Sequence, residues 1–239
     1  MSFIGCFCRF VEQSEEMGIA ENIKQIQKEL NEGVSLVAVS KTKPNQAILE
    51  AYEAGQRIFG ENKVQELGRK YEELPKDIEW HFIGHLQTNK VKYLAPFVSL
   101  VHGVDSLKLL KALDKEGRKN KRVISCLLQF HIAEEETKFG LDMQEAEELF
   151  SDPVFSDLEF VEIRGVMGMA TYTDDEAQVR KEFHSLKQIF LDLKDRYFQH
   201  QASFNEISMG MSGDYPLAME EGSTMVRVGS KIFGERIYH

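Results

Sequence analysis

The feature that most constrains this chain is the strict alternation of two hydrophobic patterns. Short apolar runs, the mark of strands buried on both faces, take turns with longer stretches whose apolar residues recur three and four apart. The runs fall at residues 34–39, 57–59, 80–83, 98–102, 123–130, 163–167, 206–208 and 225–228. Between them the spacing predicts helices over 45–54, 63–74, 89–94, 106–115, 142–150 and 216–221. The longest helix is expected around Val179, Phe183, Leu186, Phe190, Leu193 and Tyr197, with Glu176–Arg180 and Asp192–Arg196 as i, i+4 pairs on its wet side. A further helix precedes the first strand, with Ile19, Ile23, Ile26 and Leu30 on one face and Asn31-Glu32-Gly33 as its stop. Doubly wound sheets usually carry about five to seven strands, whereas a (β/α)8 barrel needs eight in about 250 residues. The expected fold is therefore α/β, a single TIM-type (β/α)8 barrel over 17–239 preceded by an N-terminal helix. Residues 1–16 are expected to be a disordered tail or an upstream-start extension.

Charge and composition narrow the function. The chain has 239 residues, and its 29 Lys plus Arg against 39 Asp plus Glu give a net charge of −10. With no basic block, that balance argues against nucleic acid or an anionic membrane as partner. No run approaches the roughly 20 apolar residues of a spanning helix, and the N-terminus lacks a signal peptide's basic and apolar regions. Three cysteines, Cys6, Cys8 and Cys126, suit a reducing compartment, so a cytoplasmic location is expected. Cys6-x-Cys8 has no second ligand pair at zinc spacing, and no metal is expected.

In a barrel, chemistry collects just after the strands. Those positions hold Ser40-Lys41-Thr42-Lys43, Gly60-Glu61-Asn62, Gly84-His85-Leu86-Gln87, His131 with Lys138 further along, Met169-Ala170-Thr171, Ser208 to Ser212, and Arg227, Gly229 and Ser230. Lys41 ends a buried apolar strand, where lost hydration and the neighbouring Lys43, and Arg227, would lower its pKa and activate its amine toward a carbonyl. A strand-end lysine that simply reaches water is the bland alternative. Small residues and hydroxyls after the last two strands match the place where barrels bind phosphate. Arg227, inside a strand, either pairs with Glu206 or Glu61 or meets a ligand acceptor such as a ring nitrogen. His81 and His85 are four apart, but His81 lies in a strand, so helical zinc spacing does not apply. Cys126 reads as a core residue.

A lysine after strand one, a phosphate corner after strands seven and eight and an arginine between them resemble fold-type III pyridoxal-phosphate proteins, whose barrel is that of the alanine racemase N-terminal domain. More closely, the chain resembles the pyridoxal phosphate homeostasis protein family. The resemblance rests on Leu36-Val-Ala-Val-Ser-Lys41, Phe59-Gly-Glu-Asn62, Trp80-His-Phe-Ile-Gly-His85-Leu-Gln-Thr-Asn-Lys90, Ser208-Met-Gly-Met-Ser212 and Met225-Val-Arg-Val-Gly-Ser-Lys-Ile-Phe-Gly234. It implies that Lys41 carries pyridoxal 5'-phosphate (PLP) as a Schiff base, that Ser208, Ser212, Gly229 and Ser230 surround the phosphate, and that Arg227 faces the pyridine nitrogen. Asn62, His85 and Met209 become wall residues, and Lys138 takes a role in release. No residue is expected to be catalytic, because arginine holds its proton and leaves the ring a weak electron sink. Racemases of this fold type add a β-rich domain with an opposing tyrosine, and with nine residues after Ser230 none is expected here. The implied function is a monomeric PLP carrier in intracellular PLP homeostasis, with PLP and apo PLP-dependent enzymes as partners. The alternatives are a racemase-like enzyme with residual activity and a cofactor-free Schiff-base aldolase, the latter disfavoured because strand six carries no lysine.

Overall fold

Strand and helix alternate as the pattern predicts, and the strands close into a ring. The computed structural model describes residues 18–134 and 139–235; the expected tail, with Cys6 and Cys8, and Lys138 lie outside the described residues. The strands are β1 (Ser35–Val39), β2 (Ile58–Glu61), β3 (Glu79–Phe82), β4 (Leu100–Val104), β5 (Ile124–Gln129), β6 (Val161–Met167), β7 (Glu206–Ser208) and β8 (Met225–Val228). All pair in parallel in chain order, and β8 returns to β1 through Leu36↔Val226 and Ala38↔Val228, so the barrel is closed. The helices are α1 (Ile19–Glu29), α2 (Asn45–Glu53), α3 (Val64–Glu73), α4 (Val91–Leu94), α5 (Leu107–Asn120), α6 (Met143–Ser151), α7 (Glu176–Arg196), α8 (Tyr215–Glu220) and α9 (Ser230–Phe233). None is long and apolar enough to cross a membrane among the described residues.

Period-two alternation sorts each strand between two cores. Leu36 and Ala38 join the large apolar layer beneath the helices, while Val37 joins Leu100, Leu127, Met167 and Met225 in a smaller cluster. Arg227, paired in register with Val37, follows the same parity into the barrel. α1 packs on α2 and α9. It is tied down by the Asn22 amide on the Ile232 carbonyl at 3.1 Å and by the Tyr215 hydroxyl on the Glu29 carboxylate.

Several expectations shift, among them β2, which runs on to Glu61, and β6, which begins at Val161. β4 begins and ends two residues later than the apolar run, because Val98 closes the turn from Leu94 and Ser99 is the first residue to bond β3, at the Trp80 carbonyl. α5 runs on through Gly117 to Asn120. Arg180 reaches across to Glu220 and Glu221 of the next helical layer instead of Glu176, although Asp192–Arg196 does pair, at 3.0 Å. The short α9, right after Ser230 begins, had no counterpart among the predicted helices.

Candidate functional site

The ends of β1, β2, β3, β6, β7 and β8 enclose a cavity of about 640 Å³. Lys41, Asn62, Ser212, Arg227, Gly229 and Ser230 line it, so six of the residues singled out from sequence meet there. Val39, Ile83, Met169 and Met211 supply apolar wall. Close approach of the β2 and β3 ends needs a glycine: a Cβ on Gly84 would stand 2.6 Å from the Asn62 carbonyl oxygen.

Lys41 is half-buried at the β1 end of this cavity. Lys43, expected to crowd it, points its ammonium at the end of α9, donating to the carbonyls of Phe233, Gly234 and Glu235 at 2.7, 3.0 and 3.2 Å. A cation on the last carbonyls of a helix is well placed. It also links the first strand end to the last helix.

Arg227 is 5% exposed. Its Nη1 donates to Ser208 Oγ at 2.6 Å and its Nη2 to the Gly168 carbonyl at 3.0 Å. Neither expected carboxylate reaches it. Glu206 binds Thr224 and lies by Arg164, and Glu61 is held by Lys70. Burial pushes the Arg227 guanidinium down to about 10, with Asp214 acting the other way, so it stays charged at neutral pH. Behind it runs a buried polar string: Ser208 Oγ lies 3.0 Å from His102 Nδ1, and His102 Nε2 lies 3.0 Å from His81 Nδ1. Burial drives the His81 imidazole down to about 3 and His102 well below its ordinary value, so both are neutral.

Three predicted residues stand off the cavity wall. Ser208 is fully buried in that string. Met209, one residue on and so on the opposite face of the strand, is fully buried in the layer under the helices. His85 is exposed at the rim, 3.6 Å from the Asp105 carboxylate and stacked on Phe139 at 4.9 Å.

The β7 and β8 ends are laced together. Ser212 Oγ accepts from the Gly229 amide at 3.1 Å, and Asp214 Oδ1 from the Met211 amide at 2.5 Å. The main-chain amides of Ser212, Gly213, Ser230 and Lys231, all cavity residues, have no acceptor among the described residues. Sequence reasoning missed Asp214, Lys231 and Tyr172 as lining residues, while Met169 was among the strand-end positions it named. Asp214 had a signal, an N-cap type two residues before Pro216. Tyr172, nearly fully exposed on the cavity lip, had none. Its neighbour Thr171 is clamped by Glu182 of α7, which accepts from its amide at 2.6 Å and its hydroxyl at 2.7 Å. No group of three metal-ligating side chains occurs among the described residues.

An eight-stranded barrel with a lysine after β1 and amide donors after β7 and β8 defines an alanine-racemase-type barrel, and the alanine racemase N-terminal domain model matches residues 17–237. Alanine racemase from Bartonella henselae shares that fold, with a TM-score of 0.67 at 15% identity over 92% of this chain and 60% of its own. Closer in sequence is the pyridoxal phosphate homeostasis protein of Aquifex aeolicus, 41% identical over 204 residues, 85% of this chain and 87% of that one. PipY of Synechococcus elongatus, solved with PLP bound, superposes with a TM-score of 0.81 at 37% identity over 90% of this chain and all of its own. The chain belongs to the pyridoxal phosphate homeostasis protein family.

Proposed function

We propose that the cavity holds PLP, that Lys41 carries it through its amine as a Schiff base, and that the protein keeps and hands on this cofactor without turning over a substrate. The observation that carries the reading is the donor set on one cavity wall, four main-chain amides without acceptors among the described residues beside the Ser212 and Ser230 hydroxyls. Ser212 is half-buried and Gly213, Ser230 and Lys231 are exposed, so these donors open toward the cavity, where an anion with several acceptor oxygens can meet them together. Ser212, Gly229 and Ser230, joined by Gly213 and Lys231, hold the phosphate. Ser208, whose hydroxyl is engaged by Arg227 and His102, leaves that set and fixes Arg227 instead. Asn62 stands at the mouth, His85 at the rim, and Lys138, next in sequence to Phe139, assists release.

Bound PLP supplies an electron-withdrawing ring. Arg227 decides how far that ring can act. Lying at about 10, it keeps its own proton at neutral pH and donates only a hydrogen bond to the ring nitrogen. An unprotonated ring nitrogen stabilises a carbanion poorly, so the residues favour holding over turnover. The names of the relatives and the PLP in PipY support the same reading. The protein works as a cytoplasmic monomer and passes PLP to apo PLP-dependent enzymes.

The protein as isolated should absorb visible light, lose that absorption on borohydride reduction as the cofactor becomes fixed to the chain by a C–N single bond, and lack it in Lys41→Ala without a change in melting temperature. Mixed with an apo PLP enzyme, the loaded protein should restore its activity. Equal absorption in Lys41→Ala overturns the lysine assignment. Sustained racemisation or decarboxylation of any common amino acid by the parent overturns the carrier.

A further inference from the structure

The chain turns sharply after β1, and the turn is unusual. Lys43 N–H donates to the Ser40 carbonyl at 3.0 Å, which makes Ser40-Lys41-Thr42-Lys43 a four-residue β-turn. Thr42, third in the turn, has φ +66°, while Lys41 is not among the positive-φ residues. Positive φ at that position alone marks a type II turn, which favours glycine or asparagine there. A β-branched residue in the left-handed region is strained and persists only where its surroundings impose it.

What imposes it is a charged knot between α3 and the barrel. The Thr42 amide donates to Glu66 Oε1 at 2.8 Å. That carboxylate is gripped by the fully buried Lys70 ammonium at 2.8 Å, one helical turn on. Lys70 also donates to the Ser40 carbonyl at 2.9 Å and to Glu61 Oε1 at 2.7 Å, and Ser40 Oγ donates to the same Glu61 oxygen at 2.6 Å. Both neighbours of Lys41 in the turn, Ser40 and Thr42, are thus fixed by side chains that do not line the cavity.

We infer that Glu66 and Lys70 are positioning residues for Lys41: they hold Thr42 in its left-handed conformation and so aim the Lys41 amine into the cavity. This rests on the PLP reading above. Glu66 is the better handle, since removing it leaves Lys70 bonded to Glu61 and Ser40, and α3 stays docked. If its role were only to dock α3, changing Thr42 would not matter. If it acts through the turn, a residue that takes positive φ without strain should make Glu66 dispensable.

Five chains decide this: the parent, Lys41→Ala, Glu66→Ala, Glu66→Ala with Thr42→Gly, and Thr42→Pro, each titrated with PLP and read by visible absorption and by amide exchange of the PLP-free protein. Glu66→Ala should weaken PLP retention about tenfold, the scale of one charge-assisted hydrogen bond, and deprotect the Thr42 amide. Adding Thr42→Gly should restore retention. Thr42→Pro, which forbids positive φ at an exposed position and removes the amide that Glu66 accepts while leaving the Lys70 bonds to Glu66, Glu61 and Ser40, should weaken retention even if Glu66→Ala fails to fold. Parental retention in Glu66→Ala or Thr42→Pro, or no rescue by glycine, overturns the inference. Undiminished absorption in Lys41→Ala instead overturns the lysine assignment on which this rests.

Discussion

Arg227 has lost nearly all contact with water, yet no carboxylate forms an ion pair with it among the described residues, Asp214 acting on it only at longer range; its charge is met by a hydroxyl and a carbonyl. That hydroxyl is anchored in turn by two imidazoles kept neutral by burial. The arrangement has a pH signature. In the unfolded chain His81 takes up a proton near pH 6.5, whereas in the fold it stays neutral to about 3. The unfolded state therefore binds more protons in that window, so stability is complete above pH 6.5 and lost progressively as pH falls toward 3. Urea midpoints measured from pH 7 to 4 should drop, and His81→Asn should flatten the drop; a parallel curve in the variant would show that His81 is not its source. Of this site, the sequence made legible which residues gather but not what Arg227 meets. Strand parity already argues against Glu61, since Gly60 faces the barrel near Val37 and Ile83 and its neighbour must face out. The pairing of Ser208 with His102 spans 106 residues and leaves no local pattern to read.

α5 shows why helix ends were harder to place than helices. Gly117, followed by Arg118, Lys119 and Asn120, looks like a stop, but it lies inside the helix because β6 and the following turn press on it. A Cβ there would stand 2.6 Å from the Phe160 carbonyl oxygen and 2.8 Å from that of Arg122. Helix propensity alone says Gly117→Ala stabilises by about 1 kcal/mol. The backbone clash reverses the sign, and the expected outcome is a loss of about 1–3 kcal/mol in urea denaturation. A gain would mean that β6 can give way. β4 and α9 were misread because apolar periodicity does not report the bonds that set their ends: Val98 N–H on the Leu94 carbonyl and Ser99 N–H on that of Trp80 delay the strand, and the Gly229 carbonyl starts a single helical turn whose end Lys43 meets.

Over the whole molecule, barrel closure is thinnest between β7 and β8, which share one register pair, Ser208↔Met225. The buried Ser223 hydroxyl reinforces it, lying 3.2, 2.9 and 3.0 Å from the carbonyls of Ile207, Met209 and Met225. Ser223→Ala should leave those acceptors short of a donor and raise amide exchange in β7 and β8 before any other strand. Uniform exchange across all eight strands would show that the seam is not the weak point. The eight-strand count was legible because each strand carries its own short apolar run. The seam was not, because it depends on a serine in a turn.

The bond from Lys43 to the carbonyl of Phe233 joins two places that are far apart in time as well as in sequence. During synthesis Lys41 leaves the ribosome well before the residues that complete its cavity, from Ser212 to Gly234, are made. A nascent chain therefore offers a reactive lysine with no pocket around it, and the cofactor can be captured only once the chain through Gly234 has emerged and folded back on β1.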